Sequence, residues 1–225
     1  MNNQFVIIVA GGTGSRMQSN TPKQFIEVNG APIIIRTIKA FLGYNPSIQI
    51  IISVHKDFKT YLEELLIKHN LINNKIVITL GGDTRFQSVK NGLELVTNQN
   101  AIVGIHDAAR PFVSIQTIKK CFETAKEKGN ATPCILVTDT IRKVNGDFNE
   151  SADRMQFRII QTPQCFLASK IKHAFKQEYK LIFTDDSTVL EHSGEKINLV
   201  EGNIENIKIT NQVDLAIAKT ILSNE

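Results

Sequence analysis

The chain alternates between short apolar runs and longer stretches in which apolar residues have helical spacing. The apolar runs are rich in β-branched residues, are typical of buried strands, and span residues 5–9, 48–54, 76–80, 101–105 and 131–137. Helices are predicted between them, over residues 32–44, 58–69, 86–96 and 114–128. Strands that alternate with helices predict an α/β fold, with a Rossmann-like, mostly parallel twisted sheet flanked by helices.

The alternation breaks at residues 140–162, where Asn145-Gly146 lies between short alternating runs. This pattern is a strong signal for a β-hairpin. We expect the hairpin to project as an arm, and a second subunit to cover it, because an isolated two-stranded arm is marginally stable in water. The prediction is one domain over residues 1–225, with a β-arm at 139–163 used for homodimerisation. Beyond the arm, we predict helices at 169–179, 187–192 and 213–222 and short strands at 197–200 and 207–209.

Composition and charge narrow the class of function. The formal net charge is +4, the basic residues are spread along the chain and Trp is absent, so no nucleic-acid partner is predicted. Cys121, Cys134 and Cys165 lack the spacing of a zinc site or a disulfide framework, and we expect reduced thiols. The N-terminal apolar run is too short for an export signal or a membrane span. We therefore expect a cytoplasmic protein without a membrane partner.

A glycine-rich loop, VAGGTGSRM at residues 9–17, follows the first predicted strand. Glycines at this point let backbone N–H groups converge on an anion, although a plain tight turn has the same composition. The dinucleotide fingerprint would need glycine at Met17, and the P-loop signature GK[ST] is absent. Arg16 and Lys23 add cations of the kind that stabilise charge in phosphoryl-type transfer. The loop therefore indicates a phosphate site of another type.

Further motifs follow this loop in a fixed order. After AGGTGSRM and PKQF (22–25) come GGDTRFQSVKNGL (81–93), HDAARPF (106–112), TDTIRKV (138–144), QTPQCF (161–166), FTDDSTVLE (183–191) and VEGNIENIKIT (200–210). This set resembles the 2-C-methyl-D-erythritol 4-phosphate cytidylyltransferase family of sugar-phosphate nucleotidylyltransferases, and it spans nearly the whole chain. The resemblance implies that CTP and 2-C-methyl-D-erythritol 4-phosphate give 4-diphosphocytidyl-2-C-methyl-D-erythritol and pyrophosphate, in non-mevalonate isoprenoid biosynthesis.

Two alternatives share the scaffold. Ribitol 5-phosphate (pentitol-phosphate) cytidylyltransferases have the same fold and most of the motifs, but the residues at 82–85, Ser88, Ala109 and the segment TDDSTVLE follow the methylerythritol pattern. Small changes in a pocket shift substrate preference readily, so this alternative stays open. A non-catalytic nucleotide-binding protein is disfavoured, because the basic residues that the family uses are all present.

The resemblance also assigns roles to residues. The catalytic residues, which would hold the triphosphate and stabilise the transition state, are Arg16, Lys23 and Lys208. The nucleotide-binding residues would be Ala10, Gly11, Gly12, Gly14, Gly82, Asp83 and Ser88. The acceptor substrate would contact Asp107, Ala108, Arg110 and Thr184, and also Thr140, Arg154 and Thr162 from the neighbouring subunit. Arg158 is an alternative to Arg154.

The implied reaction needs no general base, because the attacking phosphate oxygen is already anionic. His106 is interpreted as structural, since His106 and Asp107 are adjacent on a strand and point to opposite faces. Mg²⁺ or another divalent cation is expected because the triphosphate needs its charge neutralised. Such an ion would be held mainly by phosphates, and Asp107 is the one candidate protein ligand.

Overall fold

The computed structural model describes residues 3–12, 22–73 and 75–223. The strands in this part of the chain are β1 Gln4–Ala10, β2 Glu27–Val28, β3 Ala31–Pro32, β4 Gln49–Val54, β5 Ile76–Leu80, β6 Ile102–Asp107, β7 Asn130–Leu136, β8 Ile141–Asn145, β9 Phe148–Ala152, β10 Arg158–Ile160, β11 Gln164–Leu167 and β12 Leu199–Glu201. The α-helices are α1 Ile33–Tyr44, α2 Lys59–Lys68, α3 Arg85–Glu94, α4 Ile115–Lys128, α5 Ala168–Ala174, α6 Asp186–His192 and α7 Gln212–Ser223.

One eight-stranded sheet organises the molecule, in the order β10-β7-β11-β6-β1-β4-β5 with β12 paired to β7. The central pairs β6–β1, β1–β4 and β4–β5 are parallel. The predicted α/β fold with a mostly parallel sheet is confirmed. One difference is that β11, which was not predicted, runs antiparallel between β6 and β7. Cys165 and Phe166 of β11 are fully buried, and this apolar pair explains why the segment enters the sheet.

Helices cover both faces of the sheet because its central strands are apolar on both sides. On one face, Ile38 and Phe41 of α1 pack in a cluster with residues of α2 and α4. On the other face, Val89 and Leu93 of α3 pack with residues of α5 and α6. Side chains cap the helices near the site: Thr84 accepts a hydrogen bond from the Gln87 N–H at the start of α3. Of the helices described, none combines the length and apolarity that crossing a membrane requires.

The predicted hairpin is present, but it is shorter than the predicted arm. Strands β8 and β9 form their own two-stranded sheet, and Gly146 in the turn has a φ of +58°. Strand β10 then pairs with β7 of the main sheet, so the part that stands apart runs from β8 to β9 and does not extend through residue 163. Its use in dimerisation stays a prediction.

The C-terminal segment differs from its prediction at residues 207–209, which form no strand. Ile209 instead is fully buried and its N–H donates to the Ala109 carbonyl at 2.9 Å. The buried Ile209 side chain and its bond to Ala109 hold this segment beside the sheet without a ladder of strand pairing, while the Ile207 N–H donates to the Glu205 carbonyl within the segment. The arrangement places Lys208 next to the carboxyl end of β6.

Candidate active site

The carboxyl ends of β1, β4, β5 and β6 meet at one cavity of about 630 Å³. Open α/β sheets bind ligands at this edge. The cavity brings together ten of the predicted site residues: Ala10, Gly11, Gly12, Lys23, Gly82, Asp83, Ser88, Asp107, Ala108 and Lys208. The predicted residues Gly14 and Arg16 lie outside the described residues. The charged residues that line the cavity are four cations, Lys23, Lys56, Arg85 and Lys208, and two anions, Asp83 and Asp107. The excess of positive charge suits an anionic ligand.

Ser88 joins the glycine loop to the turn after β5. Its side chain is buried at the start of α3, and its Oγ accepts a hydrogen bond from the Gly82 N–H at 3.1 Å and donates to the Thr84 carbonyl at 3.0 Å. A Cβ at Gly11 would lie 3.0 Å from this Oγ, and one at Gly81 would lie 2.9 Å from it. A side chain at either position would push the buried Ser88 hydroxyl out of place, so glycine suits both positions where the two loops approach each other.

Gln24 fixes the other side of the glycine loop. Its Nε2 donates to the Ala10 carbonyl at 2.8 Å and to the Gly12 carbonyl at 3.0 Å, and the residue is 2% exposed. These two bonds hold the loop to the 3₁₀ turn Lys23–Phe25 and place Lys23 at the cavity. In the PKQF motif a role had been predicted for the charged residue alone.

Asp107 is the meeting point of three cationic side chains. Its Oδ2 lies 2.8 Å from Lys208 Nζ and 3.5 Å from Arg110 Nε, and its Oδ1 lies 3.4 Å from Arg85 Nε. Burial acts to raise the pKa of Asp107, but Arg85, then Lys208 and Arg110, outweigh it and hold that pKa well below its usual range. The carboxylate therefore stays ionised and orients Lys208 toward the cavity.

Arg85 also lines the cavity, and its position in the sequence had predicted no role for it. Its guanidinium binds Asp186 at the start of α6 through two bonds, of 2.9 and 2.7 Å, and it also reaches Asp107. Burial acts to lower the pKa of Arg85, but Asp186 and Asp107 raise it above the ordinary value, so the side chain stays charged. A pair separated by a hundred residues leaves no local signal in the sequence. His55 and Lys56, from the end of β4, also line the cavity without having been predicted.

Arg110 and Thr162 lie behind Asp107 instead of lining the cavity. Arg110 Nη1 donates to the Asn206 carbonyl at 2.7 Å, and its side chain is 13% exposed. The Thr162 hydroxyl accepts a hydrogen bond from the Asp107 N–H at 3.1 Å and lies 3.0 Å from His106 Nδ1. Contact of Thr162 with a substrate phosphate would require one of these bonds to break.

His106 is fully buried, in keeping with its interpretation as a structural residue. Burial lowers its pKa from 6.5 to about 4, although the hydrogen bond to the Arg110 carbonyl acts in the opposite direction. Its ring meets Phe41 edge to face, with the centroids 5.0 Å apart. The imidazole is therefore neutral near pH 7.

Three of the predicted substrate-binding residues are exposed and do not line the cavity: Thr184, Thr140 and Arg154. Thr184 Oγ1 lies 3.5 Å from Thr188 Oγ1, just before α6. Arg154 Nη1 donates to the Thr138 carbonyl at 2.5 Å, which holds it near the start of the hairpin. Arg158 instead donates to the carbonyls of Met155 and Phe157. Within this chain, the predicted substrate contacts of Thr140 and Arg154 thus lie apart from the described lining of the cavity and stay predictions.

Comparisons with known proteins agree with this geometry. The sequence profile of the family described as 2-C-methyl-D-erythritol 4-phosphate cytidylyltransferase matches residues 4–224. The protein of that name from Bacteroides fragilis is 44% identical over 216 residues, which cover 96% of this chain and 98% of that protein. The one from Bacteroides thetaiotaomicron is 41% identical over 219 residues, covering 97% of this chain and 99% of that protein.

A solved structure gives the same result for the fold. The 4-diphosphocytidyl-2C-methyl-D-erythritol synthase from Anaerococcus prevotii superimposes with a TM-score of 0.85 at 28% identity, covering 99% of this chain and 96% of that one. The sequence match thus extends over the strands, the cavity and the segment that carries Lys208. The chain belongs to the 2-C-methyl-D-erythritol 4-phosphate cytidylyltransferase family.

Proposed function

We propose that the chain transfers the cytidylyl group of CTP to 2-C-methyl-D-erythritol 4-phosphate, giving 4-diphosphocytidyl-2-C-methyl-D-erythritol and pyrophosphate. The observation that carries the proposal is the convergence of Lys23, Ser88 and the Asp107–Lys208 pair on one cavity, in a chain of this family. Because CTP is a cytoplasmic metabolite, we place the reaction in the cytoplasm, as one step of isoprenoid biosynthesis.

In this reaction a phosphate oxygen of the acceptor attacks the α-phosphorus of CTP. The bond between the α- and β-phosphates breaks, and pyrophosphate leaves. Lys23, together with Arg16, would bind the triphosphate and stabilise the charge that develops on its oxygens. Lys208, oriented by Asp107 at 2.8 Å, would neutralise the phosphates that approach each other. No proton has to be removed from the nucleophile, so the chain needs no general base.

The cytidine moiety would occupy the β5 side of the cavity. Gly82, Asp83 and Ser88 lie there, and the exposed Asp83 carboxylate and the backbone of the turn offer hydrogen-bonding groups to a pyrimidine edge. The triphosphate would then extend over the loop of Ala10, Gly11, Gly12 and Gly14. Asp107, Ala108 and Thr184 would face the acceptor from the opposite side, while Arg110 supports Asp107 from behind.

A divalent cation, Mg²⁺ or another, would enter with the nucleotide and offset the charge of its phosphates. Asp107 fits poorly as its main ligand, because both carboxylate oxygens already face cationic side chains. A divalent ion bound to these oxygens would have to displace one of the cationic side chains. Among the described residues, no cluster of three His, Cys, Asp or Glu side chains has a geometry for metal binding. The chain's residues therefore suit a metal held mainly by phosphates.

We propose further that the enzyme is a homodimer in which the hairpin completes the site of the partner. Apolar side chains on and next to the hairpin are exposed, among them Val144 at 70% and Phe148 at 82%. Large exposed apolar groups on a two-stranded hairpin favour burial against another surface. Thr140 directly precedes the hairpin strands and Arg154 follows them, and an arginine fork suits a phosphate monoester. They would bind the acceptor phosphate in the partner's cavity.

The activity is tested by following pyrophosphate release from CTP and Mg²⁺ with each of two acceptors. Release with 2-C-methyl-D-erythritol 4-phosphate is expected. Release with ribitol 5-phosphate alone would assign the chain to the pentitol-phosphate reaction, and no release with either acceptor would remove the enzymatic proposal.

The shared site is tested by mixing inactive subunits. Random pairing of Lys23→Ala with Arg154→Ala subunits should restore about a quarter of the wild-type activity, because half of the dimers then contain one intact site. Arg154→Ala mixed with Thr140→Ala is the matched control, since both lesions flank the same hairpin and no pairing yields an intact site. Equal activity in the two mixtures would show that the hairpin acts within its own chain.

A further inference from the structure

A buried chain of hydrogen bonds ends at the backbone of Asp107. His106 Nε2 lies 3.0 Å from the Arg110 carbonyl, and His106 Nδ1 lies 3.0 Å from the Thr162 hydroxyl. The same hydroxyl lies 3.1 Å from the Asp107 backbone nitrogen. His106 is fully buried and Thr162 is 4% exposed, so water does not compete for these groups.

The donors and acceptors in this series of hydrogen bonds have one consistent assignment. The Arg110 carbonyl only accepts, so His106 Nε2 must carry the proton of the imidazole. In the neutral ring Nδ1 is then an acceptor, and the Thr162 hydroxyl donates to it. The oxygen of that hydroxyl is free to accept the bond from the Asp107 N–H. Each group in this series of hydrogen bonds therefore has the donor or acceptor that its chemistry requires.

The network continues into the segment that carries Lys208. Asn206 is fully buried, its Nδ2 donates to the Thr162 carbonyl at 2.8 Å, and its own carbonyl accepts the bond from Arg110 Nη1 at 2.7 Å. Residues from β6, from the connection between β10 and β11, and from the segment before α7 are thus tied together directly beneath Asp107. Asp107 and Lys208 stand on two of these segments, so the network fixes the backbones that determine the 2.8 Å distance between Asp107 Oδ2 and Lys208 Nζ.

We propose that Thr162 and His106 are positioning residues that act within their own subunit, holding Asp107, and through it Lys208, in the geometry used for cytidylyl transfer. The kinetic part of this inference rests on the proposed function. Thr162 would then contribute through its hydroxyl to Asp107 and not through a contact with the substrate phosphate. A hydroxyl is required at this position because it both donates and accepts, which the side chains of valine and alanine cannot do.

The kinetic test compares Thr162→Val, which keeps the shape, with Thr162→Ser, which keeps the hydroxyl. We expect Thr162→Val to lower kcat/KM for the acceptor about 10-fold, because it leaves a buried N–H and an imidazole nitrogen without partners. Thr162→Ser should stay close to the wild type, and the affinity for CTP should not change. In an Asp107→Ala background, Thr162→Val should cause no further loss, since a positioning residue acts only through the group it positions. An equal further loss in that background would show direct contact with substrate and overturn the proposal.

The second test needs no turnover. At pH 7.5, ¹⁵N NMR of the imidazole rings, with His106 identified by its loss in His106→Asn, should show Nε2 protonated and Nδ1 unprotonated. The Nδ1 signal should move in Thr162→Val and stay in place in Thr162→Ser. A protonated Nδ1 in the wild type would overturn the proposal even if cytidylyl transfer is observed. The predicted tautomer without any turnover would instead leave this network in place and remove the proposed function.

Discussion

Removal of the Arg85 guanidinium should destabilise the protein far more than removal of a surface cation. The change Arg85→Met keeps the length and the apolar stem of the side chain but leaves Asp186, whose side chain is 1% exposed, as a buried carboxylate without its two charge-assisted bonds. Removing one partner of a buried ion pair costs about 3 to 5 kcal/mol. We expect the lower end of this range, because the Arg85 side chain is 29% exposed and water will reach part of the vacated space.

The measurement is the free energy of unfolding in urea at pH 7.5. Lys120→Met is the matched control, because Lys120 pairs with Glu201 at 3.1 Å while the two side chains are 50% and 82% exposed. A surface pair of this kind contributes less than about 1 kcal/mol. In Arg85→Met/Asp186→Asn the uncompensated charge is gone, so part of the lost stability should return.

The pH dependence provides an independent check. Burial already raises the pKa of Asp186 in the wild type, while Arg85 acts to lower it. In Arg85→Met that pKa should rise further, so near neutral pH the folded variant binds more protons than the folded wild type. The difference in stability between wild type and variant should therefore shrink as the pH falls from 7.5 toward 5. A loss at pH 7.5 no larger than that of Lys120→Met, or a difference that does not depend on pH, would show that Arg85 does not compensate a buried charge on Asp186.

Three further predictions concern the cavity and its support. Lys23→Ala should lower kcat by ~100-fold, the scale of losing one transition-state donor, and an effect on KM alone would show that Lys23 only binds the nucleotide. Gln24→Met should raise KM for CTP about 10-fold with a smaller effect on kcat, because the glycine loop loses its two buried donors; an unchanged KM would mean that the loop is held by other contacts. The pKa of His106 falls from 6.5 to about 4 on folding, so between these pH values the folded state binds fewer protons than the unfolded state. Lowering the pH from 7.5 to 5 should therefore reduce the free energy of unfolding by about 2 kcal/mol through this residue. Urea titrations at both pH values should show a smaller decrease for His106→Asn than for the wild type, and equal decreases would contradict the neutral, buried imidazole.

Much of the fold followed from local patterns. The strands of the parallel core and the helices between them were predicted from apolar spacing, and the hairpin from Asn145-Gly146. Strand β11 escaped prediction because its four residues have no periodicity that separates them from a loop. The isoleucines around Lys208 led to a predicted strand that is absent, because Ile209 is held by its buried side chain and a bond to Ala109, and the Ile207 N–H donates to the nearby Glu205 carbonyl.

The residues of the candidate site were likewise predictable only in part. Lys23, Ser88 and the glycines stand in short motifs next to strand ends, and such motifs carry their chemistry in consecutive residues. Gln24 stands in one of these motifs too, but its partners are backbone carbonyls on another loop, which composition does not reveal. Thr162 was assigned to the substrate by resemblance, whereas the folded chain gives its hydroxyl two internal partners.

Three features could be read from residues that are neighbours in the chain: the alternation of strands and helices, the prediction of a phosphate site at the first loop, and the family resemblance. The tertiary structure alone decided which charges face each other. Arg85 meets Asp186, and Lys208 meets Asp107, across about a hundred residues of sequence in each case. Buried charges and polar groups are stable when they are paired, and only the packing of the sheet and its connections brings those partners within hydrogen-bonding distance.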